Sequence, residues 1–141
     1  MSIYADTSFF VSLYGADVHS GSARRLVSTH PLVWFTPLHR AEWVHAITQH
    51  VFQNRISAAE AQSLFRHLEA DRATGLWVET GLPETVFDLC SDLARRYGAR
   101  FGVRTLDSLH VACALQLKAK QFWTFDDRQA RLARVAGLSL P

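Results

Sequence analysis

Residues 2–8 read SIYADTS, a short apolar run followed by an acidic residue and two hydroxyl residues. An apolar run of this length, bounded by polar residues, is typical of a strand that is buried on both faces of a sheet. Thr7 or Ser8 can then cap a helix that ends at Gly15. Asp6 therefore lies where a strand passes into a helix. In parallel α/β sheets the functional crevice lies at this end of the strands.

Similar apolar runs recur along the chain, separated by longer stretches with helical spacing. This pattern predicts buried strands that are covered by helices. The predicted strands are 2–6, 32–36, 76–79 and 121–125, with 138–140 as a candidate fifth strand.

Helix start and stop signals divide the rest of the chain. Pro37 suits the first turn of a helix, and Ser57 with Glu60 forms a capping box. The predicted helices cover about 7–15, 20–30, 37–55, 57–73, 83–98, 105–117 and 127–136. Strands that alternate with helices in this order predict a three-layer α/β/α sandwich with a mostly parallel central sheet.

Length and composition favour one compact domain over residues 1–141, with 48% hydrophobic and 20% charged residues. The net charge of +2 permits an anionic partner without requiring one. Cys90 and Cys113 are the only cysteines, and their apolar helical contexts predict buried, reduced thiols. We see no signal peptide and no apolar run long enough to span a bilayer, so we expect a cytoplasmic protein without a membrane association.

Four acidic residues lie at predicted strand ends or near helix starts: Asp6, Glu42, Asp107 and Asp126. Carboxylates gathered at one edge of a sheet repel each other unless a cation is present. Clusters of oxygen ligands suit Mg²⁺ or Mn²⁺. The four acids therefore suggest a metal-dependent enzyme that acts on phosphodiesters.

Each acid also has a simpler interpretation. Asp6 can be a plain helix cap, and Glu42 can be a solvent-facing residue in the first turns of its helix. Asp107 can cap its helix and pair with Arg104. Asp126 and Asp127 are adjacent; we expect Asp126 to face the site and Asp127 to cap the last helix.

The ordered set of these motifs resembles the PIN-domain pattern, and more narrowly the VapC-type toxins of prokaryotic toxin–antitoxin pairs. The resemblance spans essentially the whole chain, from Asp6 to the region of Gly137. It depends on the order and spacing of several motifs, because an Asp-Thr-Ser triplet alone is common. The motifs are Asp6-Thr7-Ser8, Glu42, the segment 104–110 (RTLDSLH) and Thr124-Phe125-Asp126.

The resemblance implies an endoribonuclease that depends on Mg²⁺ or Mn²⁺. By the same resemblance, the residues matching Asp6, Glu42, Asp107 and Asp126 hold the metal and catalyse cleavage, and those matching Thr7, Ser8 and Thr124 line the site. It further implies an RNA substrate, a homodimer, and a VapB-like antitoxin that inserts a segment into the active-site groove. Whether one or two ions bind stays open.

Basic and aromatic residues add weaker indications. Arg131 and Arg134 follow Asp127 at helical spacing and are candidate contacts for an RNA backbone, although solvated helix faces have the same composition. His39 is expected at the surface, and His110 is expected to pack or hydrogen-bond close to Asp107. The four tryptophans are expected to be mostly in the core.

Three other functions stay open at this point. A nuclease of the same fold could act on DNA or in RNA processing, and an inert domain could keep the fold for binding alone. A phosphatase that forms a phospho-aspartate is disfavoured, because Ser8 occupies the position two residues after Asp6 where such an enzyme needs a second acid.

Overall fold

The fold, described by a computed structural model over residues 2–141, is built on a sheet of parallel strands. Within that range the sheet has four strands in the order β3-β2-β1-β4. The strands are β1 (Ser2–Ala5), β2 (Leu32–Phe35), β3 (Val78–Glu79) and β4 (Gln121–Trp123). The first strand in sequence is therefore an inner strand, and its carboxyl end is flanked by the ends of β2 and β4.

Helices fill the connections between the strands. They are α1 (Thr7–Tyr14), α2 (Ser20–Val27), α3 (Pro37–Phe52), α4 (Ala58–Ala73), α5 (Val86–Leu93), α6 (Ala99–Phe101), α7 (Thr105–Gln116) and α8 (Asp127–Val135), with a π-helical turn at Ala94–Gly98 between α5 and α6.

Side chains of the sheet alternate between two hydrophobic clusters, one on each face. In β1, Ile3 and Ala5 point into one cluster and Tyr4 points into the other. The Ile3 face packs against α1, α2, α3 and α4, whereas the Tyr4 face packs against α5, α7 and α8. This arrangement confirms the predicted three-layer sandwich, with a sheet whose strands are all parallel.

Helix α7 is the most deeply buried helix of the fold. Every residue from Ser108 to Ala114 is buried. A helix that is buried on all sides carries no amphipathic stripe. Its position is therefore set by contacts with the sheet and with other helices around it. Asp107 lies just before the buried run, in the first turn of the helix.

Several predicted element bounds are wrong by a few residues. The strand predicted at 121–125 ends at Trp123, because the chain turns at Thr124 to present its hydroxyl group to Asp6 and to the backbone of Asp126. The candidate strand 138–140 is reduced to one parallel bridge between Gln121 and Ser139. The helix predicted at 20–30 ends at Val27.

The helix predicted at 83–98 is interrupted. Its regular part begins at Val86 rather than at Pro83, and the turn at Ala94–Gly98 is π-helical. Gly102, with a φ of 65°, ends the following short helix in the left-handed conformation that favours glycine. None of the helices in residues 2–141 combines the length and apolar character that crossing a bilayer requires.

Candidate active site

The carboxyl ends of three neighbouring strands meet at one edge of the sheet. Asp6 follows β1, Thr36 follows β2, and Thr124 follows β4. Because all the strands are parallel, their next residues face the same crevice. The amino-terminal turns of α3 and α7 bring Glu42 and Asp107 to the same edge.

Asp6 is the N-cap of α1, so the simpler interpretation of this residue is correct as far as it goes, and the predicted cap at Thr7 or Ser8 is wrong. Its carboxylate accepts the Phe9 N–H at 3.0 Å and the Thr124 hydroxyl at 2.7 Å. The Ser8 hydroxyl lies 2.8 Å from both oxygens. Burial raises the pKa of Asp6, although the hydrogen bonds from Thr124 and Ser8 oppose that shift.

The same side chain also faces the crevice, where it remains 5% exposed. A buried carboxylate whose hydrogen-bond donors are uncharged hydroxyl and amide groups is costly to ionise. Asp6 is therefore a group whose charged form a cation would stabilise.

Glu42 projects from α3 into the crevice instead of into open solvent. Its Oε1 atom accepts the Thr7 hydroxyl at 2.8 Å and also the Nε2–H of His110. Partial burial raises the pKa of Glu42, but His110 and Thr7 outweigh it, and the net pKa lies below the ordinary value. Among residues 2–141, no hydrogen bond reaches Oε2, so one oxygen of this carboxylate remains available to a ligand.

His110 connects Glu42 to the core of the domain. A carboxylate oxygen only accepts, so the Nε2 atom that faces Glu42 carries a hydrogen. The Tyr4 hydroxyl lies 2.8 Å from the other ring nitrogen, Nδ1. The side chain of His110 is only 4% exposed. The prediction that His110 would hydrogen-bond near Asp107 is thus correct in kind, but its partners come from α3, β1 and α1, where the Thr7 hydroxyl lies 3.1 Å from Nε2.

His39 is fully buried, which contradicts its expected place at the surface. It is the third residue of α3, and its ring forms a capping box with Thr36. Nδ1 accepts the Thr36 N–H at 3.0 Å, while Nε2 lies 2.7 Å from the carbonyl oxygen of Ala5. Since an N–H only donates and a carbonyl only accepts, the ring is neutral with its hydrogen on Nε2.

This single ring therefore links the carboxyl ends of β1 and β2. The link fixes the start of α3 against the residue that precedes Asp6. Burial and the neighbouring His110 hold the pKa of His39 well below its ordinary value, which agrees with the neutral form.

Asp107 lies in the first turn of α7, where its Oδ2 atom accepts the Arg104 N–H at 3.2 Å. The Nε atom of Arg104 lies 3.5 Å from the same oxygen, and 82% of the Arg104 side chain is exposed. The simpler interpretation, helix capping with an ion pair to Arg104, is thus present in the structure. Asp107 also lines the crevice together with Arg104.

Asp126 is the N-cap of α8, where its Oδ1 atom accepts the Gln129 N–H at 2.9 Å. The predicted assignment of Asp127 as the cap is wrong, because Asp127 is already the first residue of α8 and the residue before it, Asp126, takes the cap position. Asp127 is instead exposed in the first turn of the helix. Asp126 combines the cap with a position on the crevice.

The crevice is a cavity of about 190 Å³ that contains all four predicted acids. It is lined by Asp6, Thr7, Ser8, Glu42, Arg104, Asp107, His110, Asp126 and Gln129. Thr124 touches the site through its hydrogen bond to Asp6. Arg131 and Arg134 are exposed on α8 and are not among the lining residues, so their predicted contacts near the site are not part of this cavity.

The donor set of the cavity fits a hard cation such as Mg²⁺ or Mn²⁺, because it offers carboxylate oxygens from four segments and includes the desolvated Asp6. Within residues 2–141, no three side chains of His, Cys, Asp or Glu lie close enough together to hold an ion by themselves. An ion here would bind through few protein oxygens and keep several waters, which is the usual state of Mg²⁺ in proteins.

Sequence reasoning missed two groups at or behind the site, Gln129 and Tyr4. Gln129 lies three residues after Asp126 and donates from its side chain to the Asp107 carbonyl oxygen at 3.2 Å. Its helical spacing from Asp126 was a usable signal. Tyr4 had no such signal, because a tyrosine in a buried strand looks like any core residue. Arg104 was expected as the ion-pair partner of Asp107, and the structure brings the two side chains together.

The sequence profile of the PIN domain matches residues 3–135, nearly the full length of the chain. The chain belongs to the PIN domain family. The matched range contains all four acids of the cavity, so the site of this PIN domain lies wholly inside the part of the chain that the family profile covers.

Solved structures with the same fold include proteins from three bacteria. VapC20 of Mycobacterium tuberculosis, described as a sarcin–ricin loop cleaving toxin, is 20% identical, with 96% of this chain and 95% of that chain covered and a TM-score of 0.70. FitAcB of Neisseria gonorrhoeae is 15% identical, with 98% and 95% covered and a TM-score of 0.72. VapBC2 of Rickettsia felis, bound to a DNA fragment from its promoter, is 14% identical, with 100% and 98% covered and a TM-score of 0.67.

At these identities the likeness concerns the fold of this PIN domain. No curated protein sequence matches the chain significantly.

Proposed function

We propose that this PIN domain is an endoribonuclease that depends on Mg²⁺ or Mn²⁺ and acts as the toxin of a toxin–antitoxin pair. The observation that carries the proposal is the meeting of four carboxylates, from four separate segments, in one cavity at the carboxyl edge of the sheet. Helix capping accounts for Asp6 and Asp126 individually, but it does not require that four acids, one of them buried with a raised pKa, share one cavity.

In this proposal Asp6, Glu42, Asp107 and Asp126 share the metal, some through direct bonds and the others through waters that the ion retains. Bound there, a divalent ion would supply hydroxide near neutral pH and neutralise the charge that develops on the phosphate. Thr7, Ser8 and Thr124 each donate a hydroxyl hydrogen to a carboxylate of the site. We therefore assign these three residues to orienting the acids.

Arg104 is the basic group best placed to meet a phosphate, because it lines the cavity while most of its side chain is exposed. Arg131 and Arg134, exposed one and two turns into α8, would contact the RNA backbone farther from the reacting bond. RNA is proposed as the substrate on the family resemblance, and the likeness to VapC20, which is described as a sarcin–ricin loop cleaving toxin, supports a nuclease toxin.

A groove that leaves the acid cavity supports an antitoxin partner. A cavity of about 430 Å³ shares Thr7, Ser8 and Glu42 with the acid cavity and reaches Val11. From Val11 a second cavity of about 450 Å³ continues between α1, α3 and α4, with Ile47, Ile56 and Leu64 in its wall. We propose that a VapB-like antitoxin lays an apolar segment in this groove and closes the acid cavity.

We also propose a homodimer and a cytoplasmic location, as the family resemblance implies. Exposed apolar side chains on two packed helices, Phe87 on α5 and Leu106 on α7, support a further protein contact. The buried, unpaired thiols of Cys90 and Cys113 suit a reducing compartment.

The test is cleavage of an end-labelled RNA pool with Mg²⁺, with Mn²⁺ and with EDTA. The proteins compared are wild type, Asp6→Asn and a control, Asp88→Asn, which removes an exposed acid on α5. We expect wild type and Asp88→Asn to cut the pool with either metal, and Asp6→Asn to be inactive.

Equal cutting by wild type and Asp6→Asn would reject the assigned site. Metal-dependent cutting of a labelled DNA pool but not of RNA would reject RNA as the substrate and retain the nuclease. Absence of cutting, together with no Mn²⁺-dependent rise in Tm, would reject the enzyme and favour an inert binding domain.

A further inference from the structure

We propose that His19 forms a stacking platform for one nucleobase of the substrate, next to the acid cavity. The inference rests on the proposed ribonuclease function and names a subsite of it. It comes from three aromatic rings, Phe9, Phe125 and His19, which we call the aromatic column.

The aromatic column runs from the core to the surface. Phe9 is fully buried in the hydrophobic cluster, and the ring of Phe125 stacks on it with centroids 6.0 Å apart and planes inclined by 17°. The imidazole of His19 stacks on Phe125 at 4.4 Å and 5°. Phe125 is half-buried and His19 is exposed, so the column ends in a flat ring whose outer face is open to solvent.

No hydrogen bond from the part of the chain that the structure describes accounts for the position of the His19 imidazole. His19 precedes the first turn of α2, but its side chain makes no capping hydrogen bond. Its backbone N–H donates to Asp17 Oδ1 at 2.8 Å, and no hydrogen bond from residues 2–141 reaches the ring. A polar ring held flat against a phenyl group by its neighbours, with one face free, has the geometry of a base-stacking platform.

The position of the platform indicates what it binds. His19 lines the cavity of about 430 Å³ that shares Thr7, Ser8 and Glu42 with the acid cavity. When a phosphate of an RNA chain lies among the four acids, a neighbouring nucleotide of that chain lies in the cavity that His19 lines. Asp17 also lines the cavity of about 430 Å³. Its carboxylate disfavours a second phosphate there, but it can accept hydrogen bonds from N–H groups on the edge of a base.

A nucleobase fits these features better than a backbone phosphate does. Stacking on an aromatic ring tolerates any base, because every base has a π-face. The platform would thus contribute affinity and position the chain, while hydrogen bonds to Asp17 would favour bases that present a donor.

The test uses a fluorescein-labelled single-stranded hexamer of adenylate in MnCl₂, with binding followed by anisotropy. Every protein carries Asp6→Asn, which prevents cleavage and keeps a capping side chain at this position. Three variants are compared on this background: His19→Ala removes the platform, His19→Phe keeps a stacking ring without its nitrogens, and His67→Ala removes an exposed histidine on α4 as the matched control. A second series of hexamers carries one abasic position each.

We expect His19→Ala to raise Kd about tenfold, the usual scale of one base–aromatic stack. His19→Phe is expected to restore binding, and His67→Ala to leave it unchanged. One of the abasic hexamers is expected to bind the Asp6→Asn protein about tenfold more weakly than the intact hexamer does. The same abasic hexamer is expected to bind the His19→Ala variant no more weakly than it binds the Asp6→Asn protein.

The platform is rejected if His19→Ala behaves as His67→Ala does, if His19→Phe fails to restore binding, or if His19→Ala weakens every abasic hexamer by the same factor. If wild type cleaves RNA while any of these results holds, the platform alone is wrong. If wild type neither binds nor cleaves RNA in Mn²⁺, the proposed function fails and the platform fails with it.

Discussion

At the scale of single residues, Glu42 is positioned through one of its two oxygens. Thr7 and His110 both donate to Oε1, and Tyr4 holds the far side of the His110 ring. This arrangement leaves Oε2 without a hydrogen bond from residues 2–141 and available to a ligand of the cavity. His110 is thus a positioning residue for a proposed metal ligand.

Two substitutions of His110 separate its two hydrogen bonds. Gln carries an N–H at about the reach of Nε2 and can still donate to Glu42, whereas the shorter Asn can only meet Tyr4. We expect His110→Asn to weaken Mn²⁺ binding by about 10- to 100-fold, the usual effect of losing a group that orients a metal ligand. We expect His110→Gln to retain most of the affinity.

Isothermal titration with Mn²⁺ measures both affinities without any need for turnover. Equal weakening by the two substitutions would mean that the ring supports the fold in general and does not specifically orient Glu42.

His39 gives a prediction for pH dependence. In the unfolded chain its pKa returns to about 6.5, whereas burial lowers it in the folded protein. Below pH 6.5 the unfolded state therefore binds a proton that the folded state does not, and stability falls as the pH falls. The largest slope from this one group is about 1.4 kcal/mol per pH unit.

We expect stability to fall less steeply below pH 6.5 in His39→Gln than in wild type. The glutamine side chain would form an ordinary capping box with Thr36 and has no titrating ring. The measurement is urea unfolding in EDTA at several pH values from 8 to 5. His67→Gln, which replaces an exposed histidine, is the control. An unchanged slope in His39→Gln would contradict the neutral, buried ring.

These two histidines also mark the limit of what the sequence predicts about the site. That the four acids face one crevice could be predicted, because residues after parallel strands and in the first turns of the following helices lie at the same edge of the sheet. The role of His39 could not, because its ring replaces the usual Glu or Gln of a capping box and its second partner, Ala5, lies 34 residues away. Partners that are distant in sequence leave no local pattern.

At the scale of elements, the start of α8 decides which aspartate does which task. Asp126 accepts the Gln129 N–H, and Asp127 makes no capping bond. We expect Asp126→Ala to lower the free energy of unfolding in EDTA by about 1 kcal/mol, as the loss of an N-cap usually does. Asp127→Ala loses only a favourable charge near the helix terminus, which is worth about 0.3–1 kcal/mol. Urea unfolding of both variants checks the order, and a larger loss for Asp127→Ala would restore the assignment made from sequence.

The same comparison explains why element bounds were less predictable than element types. The start of β4 was placed correctly from its apolar residues. Thr124 and Phe125 also favour strands, yet the strand ends before them at Trp123. The Thr124 hydroxyl donates to Asp6 and accepts the Asp126 N–H, and these two hydrogen bonds outweigh the intrinsic preference of Thr124 and Phe125 for strands.

At the scale of the whole molecule, the two hydrophobic clusters share the residues of β1. Ile3 and Ala5 belong to one cluster, while Tyr4, between them, belongs to the other. If β1 separates from the helices on one face, the side chains that it contributes to the cluster on the other face also lose their packing. The domain is therefore expected to unfold as one cooperative unit.

Tryptophan positions allow this to be tested directly. Trp43, Trp77 and Trp123 report on the Ile3 side, and Trp34 packs on the Tyr4 side, so the test uses Trp34→Phe. In that variant fluorescence reports on the Ile3 side, whereas the CD signal reports on helices of both layers. We expect fluorescence and far-UV CD to give the same urea midpoint. Separate midpoints would mean that the two layers unfold independently.

The fold class could be predicted at this scale because the order of apolar and helical segments leaves few topologies for a parallel sheet. The order β3-β2-β1-β4 was not predicted, because nothing in the strand sequences specifies which neighbour each strand takes.

The double use of Asp6 has a consequence for inheritance. A change of this residue to Asn alters one nucleotide of its codon, removes a charged oxygen from the proposed metal site, and leaves an equally good cap for α1. A cell harmed by the proposed toxin can therefore escape through a point mutation whose product still folds and still offers the same groove to a partner. Silenced copies of such a gene would persist as intact decoys that titrate the antitoxin, and they would not be cleared as misfolded protein.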